Sequence, residues 1–415
     1  MKRPGWYGLA IRFFAGGAAL VAGASCARES ETRHGTWRAE RETHGDTLVV
    51  RTVSGSVWAA PATMREDLAI GVLEGREELM FNQVQAIAVD AHGGMYVFDG
   101  GVPALRYFDS SGVYVRTLGG KGAGPGEYQD AALGLAVRRD GRVVLRDPRN
   151  SRLNVYAPDG AAALHWPVAS GLFAENAMVV DTADHMYLKV LLSRPERNKP
   201  WNIGLLHLDA QGRIVDSIAD PVIADAPTTA GGTFVPGKLW AWSPHGYMVV
   251  GVNATYRFEL RPPSRPVVRI ERVVPAIQVL PEERAEHEAR NAWYRKYQGQ
   301  YMIADLPPIP ASKPPYRAFL VGADGRIWVR RHVTAERLAE SDTGSSERPP
   351  SPAWVEPSVF DVFEPDGTYL GEVRVPRGTT LSVARGDVAW GTRQGDAGET
   401  YVVRLSVQHA QVPQQ

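Results

Sequence analysis

The stretch that decides the fold is Ala86-Ile87-Ala88-Val89-Asp90, then His92-Gly93-Gly94, then Met95-Tyr96-Val97-Phe98-Asp99. Two short apolar runs around a Gly-rich turn read as strands of a hairpin. Working outward, a loop leads to Leu105-Arg106-Tyr107-Phe108-Asp109, a second turn Ser110-Ser111-Gly112, and an outer strand Val113-Tyr114-Val115-Arg116-Thr117. Strand, turn, strand, loop, strand, turn, strand is a four-stranded antiparallel meander.

The grammar repeats along the chain. A second unit has Asp140-Gly141 before Arg142-Val143-Val144-Leu145, and Pro158-Asp159-Gly160 after Leu153-Asn154-Val155-Tyr156. A third carries Met186-Tyr187-Leu188 and Leu206-His207-Leu208, and a fourth Tyr247-Met248-Val249-Val250 and Tyr256-Arg257-Phe258-Glu259-Leu260. The fifth has Asp324-Gly325-Arg326-Ile327-Trp328-Val329 with Pro365-Asp366-Gly367, and the sixth Val388-Ala389-Trp390 with Tyr401-Val402-Val403-Arg404-Leu405. A repeat of this length cannot bury its own apolar face and must stack on its neighbours. The reading is all-β: a six-bladed β-propeller of four-stranded antiparallel blades over residues 45–407. The sixth unit lacks an outer strand, and Thr47-Leu48-Val49-Val50-Arg51-Thr52-Val53 is an orphan strand at the other end of the chain. Pairing the two closes the ring and removes an exposed sheet edge, so this N-terminal strand is expected on the last blade.

The phrasing Asp-x-x-Gly, apolar strand, then Val-Phe-Asp-x-x-Gly resembles NHL-type and related six-bladed propellers of bacteria. The segment Gly119-Gly120-Lys121-Gly122-Ala123-Gly124-Pro125-Gly126-Glu127-Tyr128 also resembles the Gly-Pro-Gly-Glu-aromatic segment that follows the first blade in many of them. The resemblance spans residues from about 45 to 407. It implies the fold, and leaves function open because propellers host unrelated chemistries.

The chain begins Met1-Lys2-Arg3, and an uncharged run follows Arg12 from Phe13 to Ala22. That is a basic segment and a short apolar core, the layout of a secretory signal over residues 1–25. The run is shorter than the roughly 20 residues a membrane span needs. Gly23-Ala24-Ser25-Cys26 resembles a bacterial lipoprotein box, and Cys26 is the only cysteine in the chain, with no disulfide partner. Lipidation at Cys26 is the expectation, with simple cleavage after Ala24 as the alternative. By the same resemblance Ala27, where an Asp is absent, favours the outer membrane. Residues 26–44 read as a polar tether and 408–415 as a C-terminal tail.

Lysine plus arginine number 46 and aspartate plus glutamate 46, for a formal charge of zero. Nucleic acid as the main partner would require a basic excess, so it is excluded. In a propeller the tight Gly turns share one face, and the long insertions 119–130, 192–200, 220–238, 275–315 and 331–357 fall on the other. Insertions gathered on one face of a repeat protein mark a binding face. The largest contains Pro281 to Gln298, with Pro first, Glu282 and Glu283 early, and Arg295 and Lys296 late, which predicts one helical insertion. Its apolar stripe is expected at Ala285, Ala289, Ala292, Trp293 and Tyr297.

Arg149 and Arg152, Arg194, and Arg330 stand on three of the long connections, with Trp201 and Trp240 nearby. Guanidinium forks beside aromatic rings suit an anionic sugar, a peptide carboxylate or an acidic protein segment, so these six residues are the candidate ligand site. Solvated loop charge is an equal reading of the same residues. The Gly-rich stretch after the first unit lacks the Ser or Thr after Lys121 that a phosphate loop requires, so it reads as a tight connection. Gln85, Leu133, Asn176, Trp240, Arg317 and Leu381 head the inner strands, with Glu175 adjacent, and one acid with one amide is not a hard-cation site. His92, His185 and His245 lie on the turn face and do not converge there as a zinc site would require. The sequence therefore assigns no catalytic residue, no metal ligand and no cofactor. It favours a membrane-anchored binding or scaffolding propeller over the alternative, a metal-dependent hydrolase or lyase at the central channel.

Overall fold

The structure, a computed structural model, describes residues 36–129, 134–168, 178–193, 202–223, 226–227, 231–264, 266–298, 306–338 and 344–410. An Asp carboxylate organises several of the tight turns, and the Ser243 hydroxyl takes that place in unit 4. The Oδ1 of Asp90 accepts from the amides of His92 and Gly94, both at 2.8 Å, and Gly93 takes φ +87°, where a side chain would be strained. Asp109, Asp181 and Asp209 repeat the device on the amides two and four residues ahead. The repeated Asp is thus a local hydrogen-bond acceptor that sets strand register.

The described strands form six four-stranded antiparallel units, and the fold is a β-propeller. Unit 1 covers 84–118, unit 2 135–167, unit 3 178–219, unit 4 238–272 and unit 5 316–374. Unit 6 combines 379–408 with the strand Ala62–Ile70. Three strands are buried at every position: Met95–Asp99 and Val143–Asp147, the second strands of units 1 and 2, and Val359–Phe363, the third of unit 5. Apolar clusters fill the seams between units 1 and 2, 2 and 3, 4 and 5, 5 and 6, and 6 and 1. Between units 3 and 4 the described contacts are aromatic: the Tyr187 and Trp242 rings lie 4.6 Å apart.

Ring closure differs from the sequence expectation. The strand Thr47–Ser54 does not join the last unit; it pairs in parallel with Val267–Arg272, the outer strand of unit 4. Closure comes from Ala62–Ile70, antiparallel to the last strand Thr400–Gln408. Charge complementarity accounts for the choice. The edge of unit 6 presents Arg393 and Arg404, and Glu66 and Asp67 meet them at 2.8 and 2.6 Å. Thr47–Ser54 offers Arg51 instead, which pairs with Glu271 of unit 4 at 3.0 Å. The polar tether expected to reach residue 44 also ends sooner, because Arg38–His44 is a strand antiparallel to Thr47–Ser54.

The helix α1 spans Pro281–Gln298, as its end signals indicated. Of the expected apolar stripe only Trp293 is buried, beside Glu283, whereas Ala285, Ala289, Ala292 and Tyr297 are exposed. The helix docks through polar groups. The Glu286 carboxylate accepts from the amides of Ala353 and Trp354 at 2.9 and 3.1 Å, and Arg290 donates to the Pro350 carbonyl at 2.7 Å. The 331–357 connection supplies buried backbone that needs partners, and the polar side of α1 satisfies it. No described helix is long and apolar enough to cross a membrane.

Candidate functional site

The inner strands of all six units line a central cavity of about 390 Å³, walled by Ala88, Ala136, Val179, Ala241, Leu320 and Val383. Small and aliphatic side chains make up most of this wall. Trp240 also lines it, with the Lys189 ammonium 4.7 Å from its ring centre. Among the described residues no cluster of three or more His, Cys, Asp or Glu side chains has metal-holding geometry. Leu133, Glu175 and Asn176, considered above for such a site, lie outside the described residues.

The larger cavity, about 670 Å³, opens on the face of the long connections between α1, residues 231–239 and residues 352–356. Short ribbons in the insertions build its floor. Ser312–Lys313 pairs with Ile277–Gln278, and Glu336–Arg337 with Trp354–Val355. The ribbons bring Lys313 and Glu356 under the first turn of α1. The Lys313 ammonium, fully buried, donates to Glu283 at 2.7 Å, to Glu356 at 2.9 Å and to the Val333 carbonyl at 3.0 Å. Glu356 also accepts from His332 Nδ1 at 3.0 Å, and Glu283 reaches back to the amide of Leu280 ahead of the helix. All three ammonium protons are used, so a buried ion network that would otherwise be expensive is satisfied. Burial alone would raise the Glu356 carboxyl, but His332 and Lys313 override it and hold it at about 2.

Phe234 stands over this network. Its backbone φ is +60°, in the left-handed region that a bulky residue avoids, and such strain persists only where the surroundings impose it. The ring lies 4.9 Å from the Lys313 ammonium and edge-on to His287 at 5.1 Å and His332 at 5.3 Å. Burial pushes the His287 imidazole below its usual value, against the pull of Glu283, so at neutral pH it is uncharged. It makes no hydrogen bond to any described residue and lines the cavity. A neutral imidazole, an aromatic ring over a fixed cation, Trp354 and the half-exposed Arg317 together offer donors, acceptors and π surface to one small polar molecule.

The residues expected as the ligand site are not brought together. Arg152 is committed to the Gly-rich connection: it donates to the carbonyls of Ala123, Gly124 and Glu127 at 3.2, 2.7 and 2.7 Å and lies 3.7 Å from Asp147. It staples that loop to unit 2. Arg149 is exposed on the adjacent turn. Arg330 belongs to unit 5, three places round the ring from the unit 2 arginines. Trp240 faces the central cavity. Arg194, Trp201 and Cys26 lie outside the described residues.

No family model matches the sequence, and no curated protein matches it. Solved structures do match. A member of the DUF4221 family from Bacteroides vulgatus superposes with a TM-score of 0.51 at 12% identity, over 84% of this chain and 99% of that one. The likeness is one of fold. A presumed exported protein of Bacteroides fragilis follows at 0.48 and 10% identity, over 84% and 96% of the two chains. A gluconolactonase of Xanthomonas campestris gives 0.39 and 13% identity, over 83% and 99%. At 12% identity the DUF4221 likeness carries architecture and leaves chemistry to the residues of this chain.

The charged and aromatic groups of the α1 cavity were missed in the sequence because they come from separate insertions. Glu283 and His287, four apart on one helix face, were the one legible signal.

Proposed function

We propose that this chain is an exported, lipid-anchored binding propeller that holds a small polar organic ligand in the cavity under α1. The observation that carries the reading is Phe234, held in a left-handed conformation between two imidazoles and above a completed Lys313–Glu283–Glu356 network. Strain kept in place over a preorganised polar floor is what a ligand site requires. Export rests on the basic and apolar segments at residues 1–25, and anchoring on Cys26 after Gly23-Ala24-Ser25, with the outer membrane favoured by Ala27. The NHL-type kinship rests on the Asp-x-x-Gly phrasing of the turns.

Thermal-shift screening of the exported chain against sugar acids, neutral oligosaccharides and short peptides tests the binding site. Hits for the cavity stabilise the wild-type protein and are lost, by roughly tenfold or more in affinity, in His287→Ala and Phe234→Ala, in line with removal of interface anchors. Hits unaffected by both changes place binding elsewhere and refute the reading.

A further inference from the structure

We propose that the cleft between units 5 and 6 on the long-connection face binds a small oxyanion, held by the Arg330 guanidinium and the Thr379 hydroxyl. This site is separate from the α1 cavity, though Val355 and Glu356 form a wall of both. The cleft is about 210 Å³ and is lined by Arg330, Glu336, Glu356, Ser358, Arg377 and Thr379 among others.

Two groups in it have charge or hydrogen-bonding capacity that no described residue fills. The first is the charge of Arg330. Lys313 is shared by Glu283 and Glu356, Arg377 pairs with Glu336, and Arg317 lies 3.9 Å from Glu356. Four cations thus meet three carboxylates, before His332 is counted, and the cation without a carboxylate is Arg330. Its one hydrogen bond is to the Ser358 hydroxyl at 3.1 Å, which leaves most of its five N–H donors unused. Burial, with the nearby Arg317 charge, makes its protonated state harder to keep and outweighs the pull of Glu356, and an anion in the cleft would add to that pull.

The second is the hydroxyl of Thr379, at the head of the inner strand of unit 6. The residue is 4% exposed, and its Oγ1 has no hydrogen-bond partner. Its backbone amide is already engaged with the Pro376 carbonyl at 3.3 Å, so the hydroxyl is the free donor. A buried hydroxyl and a partly buried guanidinium lining one cleft are the donor set for a planar or tetrahedral oxyanion. Its source is a free phosphate or sulfate ion, or the carboxylate of a sugar acid.

The test is calorimetric titration and thermal unfolding of the whole chain with inorganic phosphate, sulfate, acetate and glucuronate, each against sodium chloride at equal ionic strength. Saturable binding and a raised midpoint are expected for the wild-type protein, with affinity lost tenfold or more in Arg330→Met and Thr379→Val. A response to phosphate and sulfate assigns the free ion; a response to acetate and glucuronate assigns a carboxylate ligand. In sodium chloride without oxyanions Arg330→Met should be at least as stable as the wild-type protein, because it removes a partly buried cation that pairs with no described carboxylate at salt-bridge distance. His287→Ala should leave the anion response intact, which separates this result from the fate of the α1 cavity. The proposal is overturned if no oxyanion acts beyond chloride, or if the response survives in both cleft variants.

Discussion

At the scale of single residues, Glu356 shows how the long-connection face is held together. Its folded carboxyl sits at about 2, below the ordinary 4.5. A carboxylate lowered in this way stabilises the fold fully above its unfolded value, and that contribution is lost as pH falls from about 4.5 toward 2. Glu356→Gln should therefore flatten the acid limb: the thermal midpoint of the variant should fall less between roughly pH 5 and pH 3 than that of the wild-type chain. At neutral pH the same variant should be less stable by about 3–5 kcal/mol, since it strips a partner from buried Lys313. Parallel acid limbs would contradict the network. Residue roles were read unevenly from sequence. The turn aspartates were visible because their bonds reach only two and four residues ahead, whereas Glu356 meets Lys313 across 43 residues of chain.

Elements are decided by their edges. Ala62–Ile70 alternates buried and exposed positions, with Ala62, Met64 and Ile70 inside, yet Arg65-Glu66-Asp67 hides it from an apolar scan. Thr47–Ser54 looked the better closing strand and went to the outer edge of unit 4. Two truncations separate these roles. A chain starting at residue 55 should keep the ring, with a midpoint lowered by several degrees for the lost outer strands. A chain starting at residue 71 should lose cooperative unfolding and aggregate, because the edge at Thr400–Gln408 is laid open. Similar melting of the two would reverse the assignment. The helix teaches the converse lesson. Its bounds followed from proline, acids and bases at its ends, but its buried side followed from the carbonyls and amides it had to satisfy.

For the whole molecule, the lipid anchor we propose makes a simple claim: Cys26→Ala should move most of the protein from the membrane to the soluble fraction of the cell envelope, with an unchanged melting profile. Retention of the variant in membranes would remove Cys26 from that role. The architecture itself was legible, since the turn aspartates, their glycines and the paired apolar runs are local in sequence and recur unit after unit. From these the all-β class and the four-stranded meander followed, and the helix from the proline, acids and bases at its ends. What tertiary structure alone decided is which far-separated segments meet. The strand that closes the ring, the commitment of Arg152 to a neighbouring loop, and the gathering of Glu283, Lys313, His332 and Glu356 under one helix depend on long-range charge and hydrogen-bond complementarity. Such complementarity has no period, because each partner is chosen by three-dimensional geometry and not by spacing along the chain.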